Sequence, residues 1–219
     1  MSKIPNIDLK EHNTTDILLN QDVLYPVMEH FYTIQGEGVH SGKAAYFIRL
    51  AGCDVGCPWC DVKDSWDGSK HPKLSCSFLV QAVLDSGAKT VVITGGEPLL
   101  HDLFALTGAL REHNIQLHIE SSGSSPMTGV FDWVTLSPKK YKPPVASIYS
   151  QVDELKVVIL AERDFRWAEQ HAALCPERTS LLLQPEWDTP SSIPLIIAYA
   201  KKHPQWCISL QTHKFMDIP

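Results

Sequence analysis

The chain has 219 residues, of which 44% are hydrophobic and 20% charged, so a sizeable core is available and wholesale disorder is excluded. Its 19 Lys and Arg residues against 25 Asp and Glu residues give a net charge of −6, which argues against a protein that binds nucleic acid through a basic surface. No apolar run has membrane-spanning length, and the start carries no apolar secretory stretch. We therefore expect a cytoplasmic protein without a membrane or nucleic-acid partner.

Residues 1–24 lack a clear period, so we expect an N-terminal extension over 1–24 and one domain over 25–219. Within that domain, short apolar segments rich in β-branched residues predict strands at 45–50, 90–94, 115–120, 132–137, 154–160, 180–184 and 206–211. Amphipathic segments between several of them predict helices at 76–86, 102–113, 163–174 and 191–203.

Strands that alternate with helices predict a parallel sheet with helices outside it. A complete eight-stranded barrel usually takes about 250 residues. We therefore predict an α/β fold, a shortened, partly open (β/α) TIM-like barrel of about six strands. In such folds the chemistry gathers at the carboxyl ends of the strands.

Three cysteines, Cys53, Cys57 and Cys60, follow the first of these strands in the loop AGCDVGCPWCD. Structural zinc and most ferredoxin-type clusters take four protein ligands. A 4Fe–4S cluster held by only three cysteines leaves one iron open to a substrate or cofactor. The alternative is a zinc site that borrows His71 or Cys76 as its fourth ligand.

The other cysteines, Cys76, Cys175 and Cys207, lie in apolar helix or strand patterns, and we expect them to be core thiols. Grouped cysteines in a chain of this size without an export signal indicate metal or redox chemistry in a reducing compartment, rather than a disulfide framework.

Glycines and one arginine mark the ends of two predicted strands. Gly95 and Gly96 follow the strand TVVIT and leave the backbone bare for a polar ligand, although Gly-Gly after a strand can also be an ordinary turn. Arg49, inside the apolar segment FIRLA, requires an anionic partner, because a buried unpaired charge is costly. That partner is either the carboxylate of a ligand or an internal Asp or Glu.

The spacing C-x3-C-x2-C, with Trp59 before the last cysteine, resembles the signature of the radical S-adenosylmethionine (SAM) superfamily. The resemblance implies that the amine and carboxylate of SAM bind the open iron of a 4Fe–4S cluster. An electron from the cluster then cleaves SAM to a 5′-deoxyadenosyl radical.

Further motifs narrow the family: YTIQGEG, FIRLAGC, CPWCD, TGGEP, SPK, ELKVV, the pair QP and the terminal QTHKF. Together, over residues 25–219, they resemble the 7-carboxy-7-deazaguanine synthase family. The resemblance implies a carbon–nitrogen lyase of queuosine-precursor biosynthesis. It contracts the ring of 6-carboxy-5,6,7,8-tetrahydropterin with loss of ammonia. It also implies a homodimer and a reducing electron donor such as flavodoxin.

The resemblance further implies roles for individual residues. Arg49 would hold the substrate carboxylate, the carboxylate of Pro219 would accept the pterin N–H groups, and Glu37 is a plausible further acceptor. The full set of implied substrate contacts is Ile34, Gln35, Gly36, Glu37, Arg49, Thr94, His213 and Pro219. The implied cofactor contacts are Trp59, Cys60, Asp61, Gly96, Glu97, Ser137, Pro138, Lys139, Gln184, Pro185, Glu186 and Trp187, and the implied cluster ligands are Cys53, Cys57 and Cys60.

One position departs from the family pattern. Many members have a threonine after Cys-Asp whose hydroxyl binds Mg²⁺, whereas this chain has Val62, which offers no oxygen to a hard cation. Mg²⁺ is therefore expected to bind through Asp61, Asp64, a backbone carbonyl or water, or to be less important.

Two other functions remain open at this level. A glycyl-radical activase shares the three cysteines and a GGEP-like turn but acts on a protein and needs neither QTHK nor Arg49. A zinc-stabilised binding module would contain one zinc and no iron.

Overall fold

A computed structural model describes residues 22–219 as one nine-stranded sheet. The order of the strands is β3-β1-β2-β4-β5-β6-β7-β8-β9, and the strands from β2 through β4 to β9 run parallel. The sheet is open, with β3 and β9 at its edges. The predicted α/β class and partly open parallel arrangement are confirmed. Residues 1–21 of the predicted N-terminal extension lie outside the described residues.

Every strand predicted from the sequence is present in the parallel part of the sheet. Its members are β2 (Ala44–Leu50), β4 (Thr90–Gly95), β5 (Gln116–Ser121), β6 (Trp133–Leu136), β7 (Glu154–Ile159), β8 (Ser180–Pro185) and β9 (Trp206–Ile208). Apolar side chains of β2, β4, β5 and β7 form much of the core. Their near-continuous burial explains why short apolar runs identified them.

Two antiparallel strands at one edge, β1 (Leu24–Ile34) and β3 (Lys73–Ser75), were not among the predicted strands. β1 pairs with β2 from Val27↔Leu50 to Ile34↔Ala44, with a register shift between Val27 and Glu29. Most of β1 is only partly buried, so its sequence LYPVMEHFYTI has neither a continuous apolar run nor a clean alternation. β1 begins at Leu24, next to the boundary expected between the extension and the domain.

The helices cover the sheet close to their predicted positions: α1 (Cys76–Ser86), α2 (Phe104–Glu112), α3 (Arg163–Ala172) and α4 (Ser192–Lys202). The Ser75 hydroxyl accepts from Phe78 N at 3.2 Å and caps the start of α1. Gly87, at φ 72°, ends α1 in the left-handed conformation typical of glycine. A short helix that the sequence did not predict, α5 (Thr212–Met216), follows β9.

None of the helices between residues 22 and 219 combines the length and apolar character that a membrane crossing requires.

Candidate active site

One cavity of about 460 Å³ opens at the carboxyl ends of the parallel strands. Every residue that the resemblance implied for substrate, cofactor or cluster lines it, except Glu97 and Pro138. Residues from the two ends of the described chain meet there, since Ile34 ends β1 and His213 lies in α5. The expected location of the chemistry therefore agrees with the fold.

The three-cysteine loop is fixed at its start by backbone hydrogen bonds. Gly52 N donates to Ser65 O at 2.7 Å, and Cys53 N donates to Trp66 O at 3.0 Å. Within the loop, Cys60 N donates to Cys57 O at 3.1 Å. The segment from 63 to 66 therefore supports the loop from outside and lets the chain turn back around the cavity.

All three cysteines of the loop are free thiols that line the cavity. Burial raises the pKa of Cys53 and Cys57. Bare thiolates are thus disfavoured there, and a bound metal centre would supply the missing positive charge. The donor set fits a cluster with one iron left without a protein ligand.

The zinc alternative finds no support. Among residues 22–219, no group of three or more His, Cys, Asp or Glu side chains is placed to hold a single metal ion. Cys76 belongs to the hydrophobic core, and His71 Nε2 hydrogen-bonds Asp64 O at 2.8 Å. Neither proposed fourth ligand lines the cavity. A four-iron cube bonds each cysteine to a different iron, so its ligands need not converge on one point.

The remaining cysteines do not behave alike. Cys76 is 8% exposed and belongs to the core, as expected. Cys175 is only partly buried and packs against the core from outside. Cys207 is exposed, so the expectation of a core thiol was wrong there. It lies on β9, and no further strand of the described sheet pairs with the outer edge of β9.

The glycines after β4 let two backbone segments approach each other. A Cβ at Gly95, whose φ is 138°, would lie 2.0 Å from Leu50 O, and a Cβ at Gly96 would lie 2.3 Å from Gly52 O. Gly96 N donates to Leu50 O at 2.9 Å. The turn therefore packs directly on the start of the cysteine loop, which an ordinary Gly-Gly turn does not require.

Glu97 lies behind the cavity wall. It is 1% exposed, and its carboxylate accepts from Leu99 N at 3.0 Å, Ser121 Oγ at 2.6 Å and Ser122 N at 2.9 Å. Its hydrogen-bonding capacity is used to join the end of β4 to the end of β5. We interpret Glu97 as a support of the site rather than a cofactor contact.

The QGEG loop, residues 35–38, extends from β1 across the open side of the sheet. A Cβ at Gly36 would lie 2.2 Å from His213 Nδ1, so only glycine lets the imidazole approach this closely. Thr212 donates to Gly36 O through both N and Oγ1, each at 2.9 Å. This contact secures α5 and carries His213 to the cavity.

A buried lysine connects the QGEG loop to the sheet. Lys156, on β7, is 4% exposed and pairs with Glu37 Oε2 at 2.5 Å and with Glu120 Oε2 at 3.1 Å. Gln184 Nε2 and Gln211 Nε2 donate to the Glu37 carboxylate at 3.1 and 2.9 Å. We call Glu37, Lys156 and Glu120 the central charge network.

The network shifts the titration of its members. Burial by itself would raise the pKa of Glu37, but the Lys156 ammonium and two side-chain amides outweigh it and lower this pKa from 4.5 to about 2. Burial would lower the pKa of Lys156, and the carboxylates of Glu120, Glu37 and Glu154 raise it instead. Glu37 and Lys156 are therefore charged at neutral pH.

Arg49 has an internal carboxylate partner and also faces the cavity. Its Nε donates to Glu29 Oε1 at 2.6 Å, across the β1–β2 pair. The side chain also lines the cavity and is 21% exposed. A guanidinium has five N–H donors, so the bond through Nε leaves the terminal nitrogens for an anion in the cavity.

Two lysines lie against tryptophans at the cavity rim. Lys139 Nζ is 5.1 Å from the ring centre of Trp59 and donates to Ser137 Oγ at 2.6 Å. Lys214 Nζ is 4.6 Å from the ring centre of Trp187. Both amino groups line the cavity beside an aromatic ring, and burial lowers the pKa of Lys139.

Asp61, next to Cys60, has its own cationic partner. Lys214 Nζ donates to Asp61 Oδ2 at 2.9 Å, and Gln211 Nε2 donates to it at 3.3 Å. Burial acts against these bonds, yet the net effect is a pKa of Asp61 below its ordinary value. Asp64 does not line the cavity, whereas Val62 does.

The lining residues that were not among the site residues selected from the sequence include Glu120, Lys156, Gln211 and Lys214. Lys156 could have been selected from the sequence, because it is a charged residue in the apolar strand ELKVVI. Like Arg49, it requires an oppositely charged partner when buried. Glu120 had no such signal, since it stands at the end of a strand where polar residues are common. Gln211 and Lys214 belong to the QTHK motif but carried no assigned role.

Comparison with known proteins gives consistent results. The model of the Radical SAM superfamily matches residues 47–156. The chain is 50% identical over 204 residues to the 7-carboxy-7-deazaguanine synthase of Flavobacterium psychrophilum, covering 93% of this chain and 97% of that protein. It is also 50% identical over 196 residues to the synthase of the same name from Synechocystis sp., covering 90% and 94%.

Among solved structures, the crystal structure of QueE from Escherichia coli is similar, with a TM-score of 0.78 and 31% identity over 86% of this chain and 94% of that chain. The relatives bear the name of a small-molecule synthase, which gives the activase alternative no support.

The network yields a prediction for stability. Since the pKa of Glu37 is lowered from 4.5 to about 2, its contribution is present above about pH 4.5 and is lost as the pH falls towards 2. The difference in unfolding free energy between the unsubstituted protein and Glu37→Gln should therefore be largest at neutral pH and shrink over this range. Urea unfolding at a series of pH values measures it, with the exposed Glu112→Gln as control. A difference that does not change with pH would contradict the assignment.

Proposed function

The chain belongs to the 7-carboxy-7-deazaguanine synthase family of the radical SAM superfamily, and from this premise we propose how its own residues bind substrate and cofactor. The reaction contracts the ring of 6-carboxy-5,6,7,8-tetrahydropterin to 7-carboxy-7-deazaguanine with release of ammonia. It is catalysed by a carbon–nitrogen lyase that uses a 4Fe–4S cluster and SAM.

One observation carries the proposal for the site. Three free cysteines and the half-buried Arg49 line the same cavity, so a soft-metal centre and a carboxylate partner face one enclosed volume. That combination suits an anionic small molecule held beside a cluster. A zinc-stabilised binding module would not require an arginine facing the cysteines.

The substrate side is formed by the QGEG loop, the strand ends of β2 and β4, and α5. Arg49 binds the substrate carboxylate through its terminal nitrogens, while Glu29 fixes the side chain from the opposite side. Thr94, His213 and Pro219 provide further polar contacts, together with Ile34, Gln35 and Gly36. Glu37, ionised beside Lys156, is an additional acceptor.

The cofactor side is formed by the cysteine loop, the GGEP turn, and the ends of β6 and β8. Cys53, Cys57 and Cys60 would hold the cluster, which with SAM supplies the radical that removes a hydrogen atom from the substrate. Gly96, Ser137, Lys139 and Gln184 lie along this wall. These residues contribute chiefly position and the exclusion of water.

The electron donor and the compartment are proposals of the same kind. We propose a small reduced flavoprotein, such as flavodoxin, as donor in a reducing cytoplasm. The six free cysteines of the described chain support a reducing compartment.

Turnover of the anaerobically reconstituted protein tests the function. With SAM and either dithionite or reduced flavodoxin, the carboxytetrahydropterin should yield carboxydeazaguanine and ammonia, detected by mass and by a coupled ammonia assay. Iron-loaded protein that cleaves SAM without making the purine product would overturn the substrate assignment.

Arg49→Ala sharpens this test. Since hydrogen bonds to a charged group contribute about 1.5–3 kcal/mol each, loss of the guanidinium should lower kcat/KM for the pterin at least about a hundredfold. SAM cleavage uncoupled from product should persist. The control is the exposed Arg166→Ala, which should behave like the unsubstituted protein. Full pterin turnover by Arg49→Ala would contradict the proposed contact.

The side chains after Cys60 offer few oxygen ligands to Mg²⁺. Mg²⁺ requires near-octahedral oxygen ligands, but the Val62 side chain has no oxygen and the Asp61 carboxylate is bound to Lys214 and Gln211. We propose that the Lys214 ammonium provides the positive charge at this wall and that turnover depends little on Mg²⁺.

Val62→Thr and Lys214→Gln test this proposal. Removal of Mg²⁺ should change turnover little in the unsubstituted protein, and electron paramagnetic resonance should detect no tightly bound Mn²⁺. Val62→Thr combined with Lys214→Gln should create Mn²⁺ binding and Mg²⁺-dependent turnover. Tight Mn²⁺ binding by the unsubstituted protein would contradict the proposal, whatever its activity.

A homodimer is proposed as the functional unit. The edge strand β9 and the neighbouring helices α4 and α5 carry exposed apolar side chains, including Ile197 at 46%, Ile208 at 41% and Phe215 at 73% exposure. An exposed strand edge of this kind favours association. Light scattering should give twice the chain mass, and Ile208→Lys should give a monomer, whereas Phe104→Lys on α2 should not. A monomeric unsubstituted protein would refute the dimer.

A further inference from the structure

A second, smaller polar space lies on the amino side of the central charge network. It measures about 10 Å³, enough for one molecule the size of water. Gln35, Glu37 and Glu120 line both this space and the large cavity, so the network is their common wall. We call this smaller space the lower chamber. Its other lining residues are His40, His118, Trp133, Thr135 and Glu154.

Several polar groups of the lower chamber are buried without a partner. His118 is 8% exposed, lines the chamber and takes part in no hydrogen bond among the described residues. His40 Nε2 is also buried without a partner within residues 22–219. Buried polar groups without a hydrogen-bond partner are destabilising. A polar molecule or ion bound in the chamber would therefore stabilise the protein.

The charges around the chamber favour a small cation. Three carboxylates, those of Glu37, Glu120 and Glu154, face one ammonium, that of Lys156. Glu154 is 2% exposed, and its carboxylate accepts a hydrogen bond from Val39 N at 2.9 Å. Burial raises the pKa of Glu154, and the Lys156 ammonium and the Trp133 indole N–H beside it act in the opposite direction. Negative charge thus exceeds positive charge at the chamber, and most of the lining side chains offer acceptors.

The histidines add acceptors rather than charge. Burial lowers the pKa of His118 to about 4, and burial also lowers the pKa of His40. Both rings are therefore neutral at pH 7, with a ring nitrogen available to accept. A cation of the size of water that carries several N–H donors matches this lining better than water, which has only two donors.

His40 separates the lower chamber from solvent. Its Nδ1 lies 3.0 Å from Lys43 Nζ at the surface, whereas its Nε2 is buried. The His40 and His118 rings are in contact at a tilt of 40°, with centres 4.5 Å apart. Movement of one imidazole would therefore connect the chamber to water at the amino ends of the strands, away from the cysteine loop.

We propose that the lower chamber binds the ammonium ion produced by the ring contraction and that the released nitrogen leaves by this route. The inference rests on the proposed function, because that reaction breaks a ring C–N bond and expels the nitrogen as ammonia. The product and ammonia together contain the atoms of the substrate, so no oxidant is required. Ammonia then takes one proton from water to become ammonium.

Thallium(I), which resembles ammonium in size and charge, tests the chamber without turnover. Crystals of the holoenzyme soaked in thallium(I) acetate should show an anomalous peak between Glu154 and His118, and Glu154→Gln crystals should lose it. No peak in the chamber of the unsubstituted enzyme would overturn the proposal while leaving the proposed function intact. A peak that persists unchanged in Glu154→Gln marks an adventitious ion only and also overturns it.

Product inhibition provides a second measurement. Added ammonium chloride, at constant ionic strength set with tetramethylammonium chloride, should inhibit purine formation by the holoenzyme. Glu154→Gln and the near-isosteric Thr135→Val should each raise the inhibition constant, the former about tenfold. The exposed Glu112→Gln should leave it unchanged. Equal inhibition of all four proteins would overturn the proposal, and Thr135→Val keeps the test available if Glu154→Gln does not fold.

Discussion

The charge of Lys156 is the constraint on which the rest of the site depends. A lysine on an inner strand of an α/β sheet must be paired, because removing one partner of a buried ion pair typically costs about 3–5 kcal/mol. Its partners are Glu120 from β5 and Glu37 from a loop remote in sequence. The pairing therefore holds the QGEG loop against the inner strands β5 and β7.

That loop in turn determines where the end of the described chain lies. Gln211 donates to Glu37, and Gly36 accepts from Thr212, so the segment after β9 is held against the loop rather than against the sheet. His213 reaches the cavity because Gly36 has no side chain. The cavity wall formed by the QGEG loop and α5 thus depends on one buried cation and on the absence of a side chain at Gly36.

The opposite wall depends on close backbone approach. Gly95 and Gly96 bring the turn after β4 onto the start of the cysteine loop, and Glu97 behind it binds the end of β5. The three free thiols of the cysteine loop, a polar turn and the ionised network consequently share one cavity. The network has a second face, towards the lower chamber, so the same charges that hold the loop also favour a small cation beneath it.

The sequence by itself determined the parallel α/β class, the main strands and helices, and the residue types at the site. Buried strands can be recognised because they are short and apolar. The cysteine spacing and the glycines at strand ends can be recognised because each lies within a few consecutive residues. It did not reveal β1, whose half-buried residues have no clear period, or the pairing of Arg49 with Glu29 across it. Nor did it distinguish Glu97, a buried support, from the residues that face the cavity. Only the tertiary structure decided these points and the partners of Lys156, because an ion pair between residues 119 positions apart depends on which strands become neighbours.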